Sequence, residues 1–166
     1  MNYQDIEARY KRITDKDWNI IRDAARGWYV EVGTNHGASA CAAAQNADLV
    51  TTIDIFDWQP KLWEGHPEAA KIHFFKGTSA DFAQSLKRPE IDVLFIDGAH
   101  EYEYVLMDCK ALVPWVKPGG AVMFHDYNPL NQTTLIYQAV NEFIQTINHK
   151  DAIRFPDTNL FKITKL

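Results

Sequence analysis

Cysteine is scarce in this chain: two in 166 residues, Cys41 and Cys109, each inside an apolar helical pattern. Placed so, they suit buried free thiols in a reducing compartment better than a disulfide, and the cytoplasm is the expected location. Long apolar runs are missing, since none approaches the roughly 20 residues of a membrane span, and Met1-Asn2-Tyr3-Gln4-Asp5 has no basic-then-apolar leader pattern. No membrane partner is expected. Lysine and arginine form no cluster, and the formal net charge of −5 argues against a surface that tracks a phosphate backbone, so nucleic acid is not an expected partner either. There is no repeat, linker or low-complexity stretch. A hydrophobic share of 46% with 23% charged residues is that of one folded domain over residues 1–166.

What is present is organised around Trp28-Tyr29-Val30-Glu31-Val32-Gly33-Thr34-Asn35-His36-Gly37. An apolar, β-prone run meets an acid, and two glycines four apart lead into the small-residue run from Ala38 to Ala44. The pattern predicts strand, tight turn and helix, a device that brings backbone N–H groups up to a ligand. It is not the G-x-G-x-x-G that cradles a dinucleotide pyrophosphate. An acid ahead of the first glycine favours a ligand carrying a positive group.

Residues 1–27 read as a helical segment: Tyr3 to Arg12, then a second helix opened by the capping box Thr14-Asp15-Lys16-Asp17 and ended by Gly27. From residue 28 onward strands and helices alternate. Strands are predicted at Leu49 to Asp54, Ile72 to Phe75, Ile91 to Ile96 and Ala121 to Phe124, with Pro118-Gly119-Gly120 as the turn into the last of these. A short helix runs to Lys87, a longer one spans Glu101 to Val116, and the last follows Ile136 to Ile147. Residues 56–68, with Trp58, Pro60, Trp63, Gly65 and Pro67, read as a loop with one helical turn. Two closing strands, Ala152 to Phe155 and Asn159 to Ile163, flank a Pro-Asp turn. The expected fold is α/β: a Rossmann-like, doubly wound, mostly parallel seven-stranded sheet with an antiparallel last strand and helices on both faces.

Glu31, Asp54, Asp97 and the pair His125-Asp126 each fall where an apolar strand stops. In an open parallel sheet those carboxyl ends line the ligand crevice, and neighbouring carboxylates repel unless a ligand or cation joins them. Each residue also has a plainer reading. Glu31, Gly33 and Gly37 can simply shape the turn, Ser79 and Asp81 can cap a helix, and Asp126 can bond its own backbone. His100 can be a solvated loop residue, and Trp58 and Trp63 can be packing residues.

In this order the segments resemble the class I S-adenosylmethionine-dependent methyltransferases. Glu31 to Gly37 resembles their first motif, Asp54 their ribose-binding acid, and Gly77-Thr78-Ser79-Ala80-Asp81 the adenine-side loop. Ile96-Asp97-Gly98-Ala99-His100-Glu101-Tyr102, Lys117-Pro118-Gly119-Gly120 and Phe124-His125-Asp126-Tyr127 resemble a metal-dependent O-methyltransferase branch that acts on macrolide sugars and is related in layout to catechol O-methyltransferase. The resemblance implies donor contacts at Glu31, Gly33, Thr34, Asn35, Gly37, Ser39, Asp54, Ile55, Ser79 and Asp97. It implies metal ligands at Asp97, His125 and Asp126, for magnesium or manganese. It makes His100, with Asp97, the catalytic pair, His100 standing where the catechol enzymes have a basic lysine.

Methyl transfer to oxygen is an in-line displacement that needs alignment and a deprotonated nucleophile, and a metal and a histidine can provide the second. The expected partner is a small hydroxylated acceptor. Its site either stands open or is completed by residues 56–67 or by a second copy of the chain in a homodimer. Two other classes remain: a donor-binding protein without catalysis, and a nicotinamide-dependent oxidoreductase, which the missing G-x-G-x-x-G disfavours. Gly33→Ala is expected to weaken donor binding and leave the chain folded.

Overall fold

The computed structural model describes residues 12–128, 130 and 134–166. The expected helix at Tyr3 to Arg12 lies outside the described residues but for Arg12 itself. Helix α1 spans Asp15–Ala24, and its start follows from the capping box: Thr14 Oγ1 accepts from the Asp17 amide, and the Asp17 carboxylate accepts from the Thr14 amide. Gly27 does not end it, because Ala25 already leaves helical geometry. β1 is Trp28–Val32, α2 Ala38–Ala44, β2 Leu49–Asp54 and β3 Ile72–Lys76. Helix α3 is Ser79–Ala83, β4 Ile91–Ile96, α4 Tyr102–Leu112 and β5 Val116–Phe124. α5 at Leu135–Ile144, β6 at His149–Arg154 and β7 at Phe161–Lys165 complete the fold.

The seven strands lie in the order β3-β2-β1-β4-β5-β7-β6. β3, β2, β1, β4 and β5 run parallel, while β7 is antiparallel to both β5 and β6. Period-two alternation divides the core between the two faces of this sheet. Val30, Leu94, Ile96, Val122 and Phe124 pack with the apolar sides of α3, α4 and α5. Tyr29, Val93, Phe95 and Met123 pack with Ile21 of α1 and the alanines of α2. Small residues suit α2, since all seven of its residues are buried against the sheet. Both cysteines are buried free thiols. No helix among the described residues is long and apolar enough to cross a membrane.

Several boundaries differ from the sequence expectation: α3 stops at Ala83, α5 at Ile144, and the closing strands are His149–Arg154 and Phe161–Lys165. α4 stops at Leu112 and tightens into a 3-10 turn at Val113–Trp115, because Pro114 cannot continue an α-helix. Pro118-Gly119-Gly120 is not a turn ahead of β5 but part of it; the irregular pairing opposite Ile91 and Val93 accommodates it. The chain order reverses at β1, whose neighbours are β2 and β4, so the crevice expected of such a sheet opens at the carboxyl ends of those strands.

Candidate active site

The first turn is fixed from both sides. Gly33 has φ +96°, and a Cβ there would stand 1.9 Å from the Asp97 carbonyl oxygen, so only glycine lets the ends of β1 and β4 approach this closely. Gly37, at φ +84°, faces the Trp63 ring, 2.2 Å from where a Cβ would sit. The Asp54 carboxylate stitches the turn to β2. Its Oδ2 accepts from the Thr34 and Asn35 amides at 3.0 and 3.1 Å, and its Oδ1 from the Phe56 amide at 2.9 Å. Three of about four acceptor positions on that carboxylate are therefore used by the backbone.

Glu31 lies beneath this turn with no exposure to solvent. Its Oε1 accepts from Thr52 Oγ1 at 2.7 Å, and Thr52 lies 2.6 Å from Thr34 Oγ1, while Oε2 has no hydrogen-bond partner among the described residues. Burial pushes its carboxyl up to about 8, although the Thr52 and Ser39 hydroxyls act the other way. The Ser39 and Tyr29 hydroxyls stand beside this carboxyl without closing a hydrogen bond to Oε2, and burial favours its neutral form.

At the ends of β4 and β5 the acids meet two histidines. His125 Nδ1 lies 3.4 Å from Asp97 Oδ1 and 3.2 Å from Asp126 Oδ2, and its Nε2 lies 3.9 Å from Asp17 Oδ2 in α1. Burial works to lower the His125 pKa, but the Asp126 and Asp97 carboxylates outweigh it and push it up to about 10. Asp97 is held above its ordinary value by burial, and Asp126 below its own by His125. His100 approaches from the open side, its Nε2 3.2 Å from Asp126 Oδ2. The potential metal-ligand atoms within 4.8 Å of one another belong to Asp97, His100 and Asp126. His125, expected as a ligand from the sequence, has its Nδ1 beside the Asp97 and Asp126 oxygens of that group. The same strand ends line a small pocket with Gly98, Val105 and Ile136.

The remaining expected residues spread along the same edge. Ser79 opens α3 and its hydroxyl donates to Asp108 Oδ1 of α4 at 2.6 Å; the cap of that helix is Thr78, boxed with Asp81. Ile55, Phe56 and Trp58 are exposed just past Asp54, with the Phe56 and Trp58 rings 5.6 Å apart. Behind them the loop folds back on the first turn through Trp63. Lys61 anchors it, buried, 2.9 Å from Asp57 Oδ1 and 3.9 Å from the Phe74 ring centre.

Three polar residues of this neighbourhood escaped the sequence reading: Thr52, Asp108 and Asp17. Thr52 was recoverable, being a polar residue in an apolar strand. Asp108 interrupts the apolar stripe of α4. Asp17 was read only as part of a cap.

Residues 30–127 match the family described as a methyltransferase domain, and the chain belongs to that family. An uncharacterized protein of Acanthamoeba polyphaga mimivirus is 30% identical over 135 residues, 72% of this chain and 60% of that protein. The chain thus spans less than two thirds of that relative's length. Among solved structures, a Corynebacterium glutamicum protein superposes with a TM-score of 0.71 at 14% identity, covering 98% of this chain and 87% of that one. The O-methyltransferase from Bacillus cereus, solved in complex with SAH, gives 0.69 at 14% identity, covering 99% and 88%. TomG, an O-methyltransferase from Streptomyces achromogenes solved in complex with SAM, gives 0.65 at 16%, covering 93% and 81%. At such identities the likeness is one of fold.

Proposed function

We propose that this chain is an S-adenosylmethionine-dependent methyltransferase that modifies a hydroxyl of a small molecule, a sugar or natural product, assisted by a divalent cation. The observation that carries the donor assignment is the buried Glu31 carboxyl, with one oxygen unpartnered at the foot of a glycine turn, in a chain of the methyltransferase-domain family. An ammonium group is the partner such an acid lacks, and the methionine end of the donor carries one. Asp54 retains an acceptor position for a ribose hydroxyl. Ile55 offers an apolar surface beside it, and Ser79, at the start of α3, is assigned to the adenine side.

Bound there, the donor supplies a methyl group on a sulfonium. The C–S bond breaks as the C–O bond forms, the electron pair returns to sulfur, and the hydroxyl proton must leave. His100 is the group assigned to take it, and Asp126, 3.2 Å from Nε2, orients the imidazole. The Asp97 and Asp126 carboxylates can hold a divalent cation, which would lower the hydroxyl's pKa while the His100 lone pair stays free for the proton. Oxygen ligands of this kind suit magnesium or manganese.

The test is formation of S-adenosylhomocysteine by metal-stripped protein given S-adenosylmethionine and a panel of sugars, phenols and other hydroxylated compounds, with and without manganese or magnesium. Acceptor-dependent product that rises with metal supports the reading. Donor binding without turnover by any acceptor would favour a non-catalytic binding protein.

A further inference from the structure

Helix α4 buries an apolar stripe of Val105, Leu106, Cys109 and Leu112, and Asp108 interrupts it. The carboxylate joins two loops that the sheet keeps apart. Ser79 follows β3 and Gly98 follows β4, and β2 and β1 lie between those strands. Asp108 Oδ1 accepts from the Ser79 hydroxyl at 2.6 Å, while Oδ2 stands 3.2 Å from where a Cβ on Gly98 would project. Asp108 thus bridges the loops on either side of the ends of β2 and β1, where Asp54 and the glycine turn lie.

Packing of α4 against α3 does not account for an acid at this position. An apolar residue would extend the stripe, whereas a half-buried carboxylate loses hydration that one hydroxyl donor does not replace. Burial accordingly raises the Asp108 pKa, with the Ser79 hydroxyl acting the other way. Ser79 itself is buried, so its role is to hold Oδ1 and fix the carboxylate's direction. Oδ2 is the oxygen left for a ligand. A carboxylate oxygen only accepts, so a group that meets it there must bring an N–H or an O–H.

We propose that Asp108 is a specificity-determining residue for the donor: held by Ser79, it accepts from the 6-amino group of the purine and rejects a 6-oxo purine. The selectivity rests on the methyltransferase reading given above, in which Ser79 is assigned to the adenine side; the Ser79–Asp108 bond does not. An amine brings hydrogens to Oδ2. An oxo group brings a lone pair and leaves both itself and the carboxylate without a partner, which is the costly arrangement away from water.

The experiment is calorimetric titration of the whole protein with S-adenosylhomocysteine and with S-inosylhomocysteine, which carries a 6-oxo purine in place of the 6-amino one. The wild type is expected to bind the adenine compound roughly tenfold or more tightly. In Asp108→Asn the Ser79 hydroxyl keeps an oxygen to bond, and an amide nitrogen takes the place of Oδ2, so the preference should vanish or reverse. Asp108→Ala removes the acceptor and supplies no donor, and serves if Asp108→Asn does not fold; its preference should shrink without reversing. Glu103→Gln, an exposed acid on the same helix, should keep the wild-type ratio. Equal affinity of the wild type for the two compounds would overturn the assignment and leave the donor reading standing. So would a fall of both affinities in proportion in the Asp108 variants, the result expected of a residue that only ties α3 to α4. Binding of neither compound would overturn the donor reading, and the proposal with it.

Discussion

The carbonyl oxygen of Asp97 occupies the space into which a side chain on Gly33 would project, 1.9 Å from the ideal Cβ position. The close approach of β1 and β4 at their carboxyl ends depends on it, and so does the placement of Asp97 beside His125. The glycine is explained by the protein's own packing before any ligand is considered. The expectation that Gly33→Ala leaves the chain folded therefore changes. That substitution forces either a strained positive φ or a separation of the two strand ends, and should cost on the order of 2 kcal/mol or more of stability. Urea denaturation of wild type and variant measures it.

Asp54 is a cleaner probe of the donor site. Asp54→Ala removes the acceptor for the exposed Asn35 and Phe56 amides and for the amide of the buried Thr34, without placing any atom in a filled space. The turn should loosen and donor affinity fall at least tenfold, with a loss of stability of about 1–3 kcal/mol, chiefly from the Thr34 amide. Calorimetric titration against thermal unfolding separates the two effects.

Glu31 supplies a pH dependence with a definite sign. Its folded pKa, about 8, lies above the ordinary 4.5, so the folded protein binds a proton there that the unfolded chain releases across that interval. Its contribution to stability is full below about 4.5 and is lost as pH rises toward 8. Glu31→Gln should flatten that part of the stability profile. An arriving ammonium reverses the preference and expels the proton, so donor binding at pH 7 should release close to one proton in the wild type and fewer in Glu31→Gln. Titrations in buffers of different ionisation enthalpy count it.

The strand-end cluster makes two further expectations separable. Asp97→Asn together with Asp126→Asn should abolish manganese binding, because two of the three candidate ligands lose their charge. His100→Gln should slow transfer a hundredfold or so while leaving donor and metal affinity unchanged, the size expected for loss of a general base. Equilibrium dialysis with manganese and single-turnover rates test both. Metal retained at wild-type affinity in the double variant would put the ion elsewhere.

Much of this was legible in the sequence because the strands carry it. Apolar runs ending in an acid located β1, β2 and β4, and Ile91–Ile96 was bounded correctly at both ends. Alternation over the whole chain gave the seven strands and the antiparallel closing one. What escaped lies where tertiary packing decides. Pro118 and the glycines beside it look like a turn locally, yet the pairing of Val116 and Ala121 with β4 on either side draws the segment into β5. His125 reads as a ligand from its neighbours in sequence; the structure surrounds it with Asp97, Asp126 and Asp17. The last of these is 108 residues away, and nothing local announces that the first turn of α1 reaches the end of β5.

The most direct test of the central claim is calorimetric titration of metal-stripped protein with S-adenosylmethionine, with NAD as the control and Asp54→Ala alongside. The account predicts saturable one-to-one binding of the donor, none of NAD, and a marked loss in the variant. No heat of binding with S-adenosylmethionine, with or without manganese, would contradict the assignment of the Glu31 to Gly37 turn as a donor site.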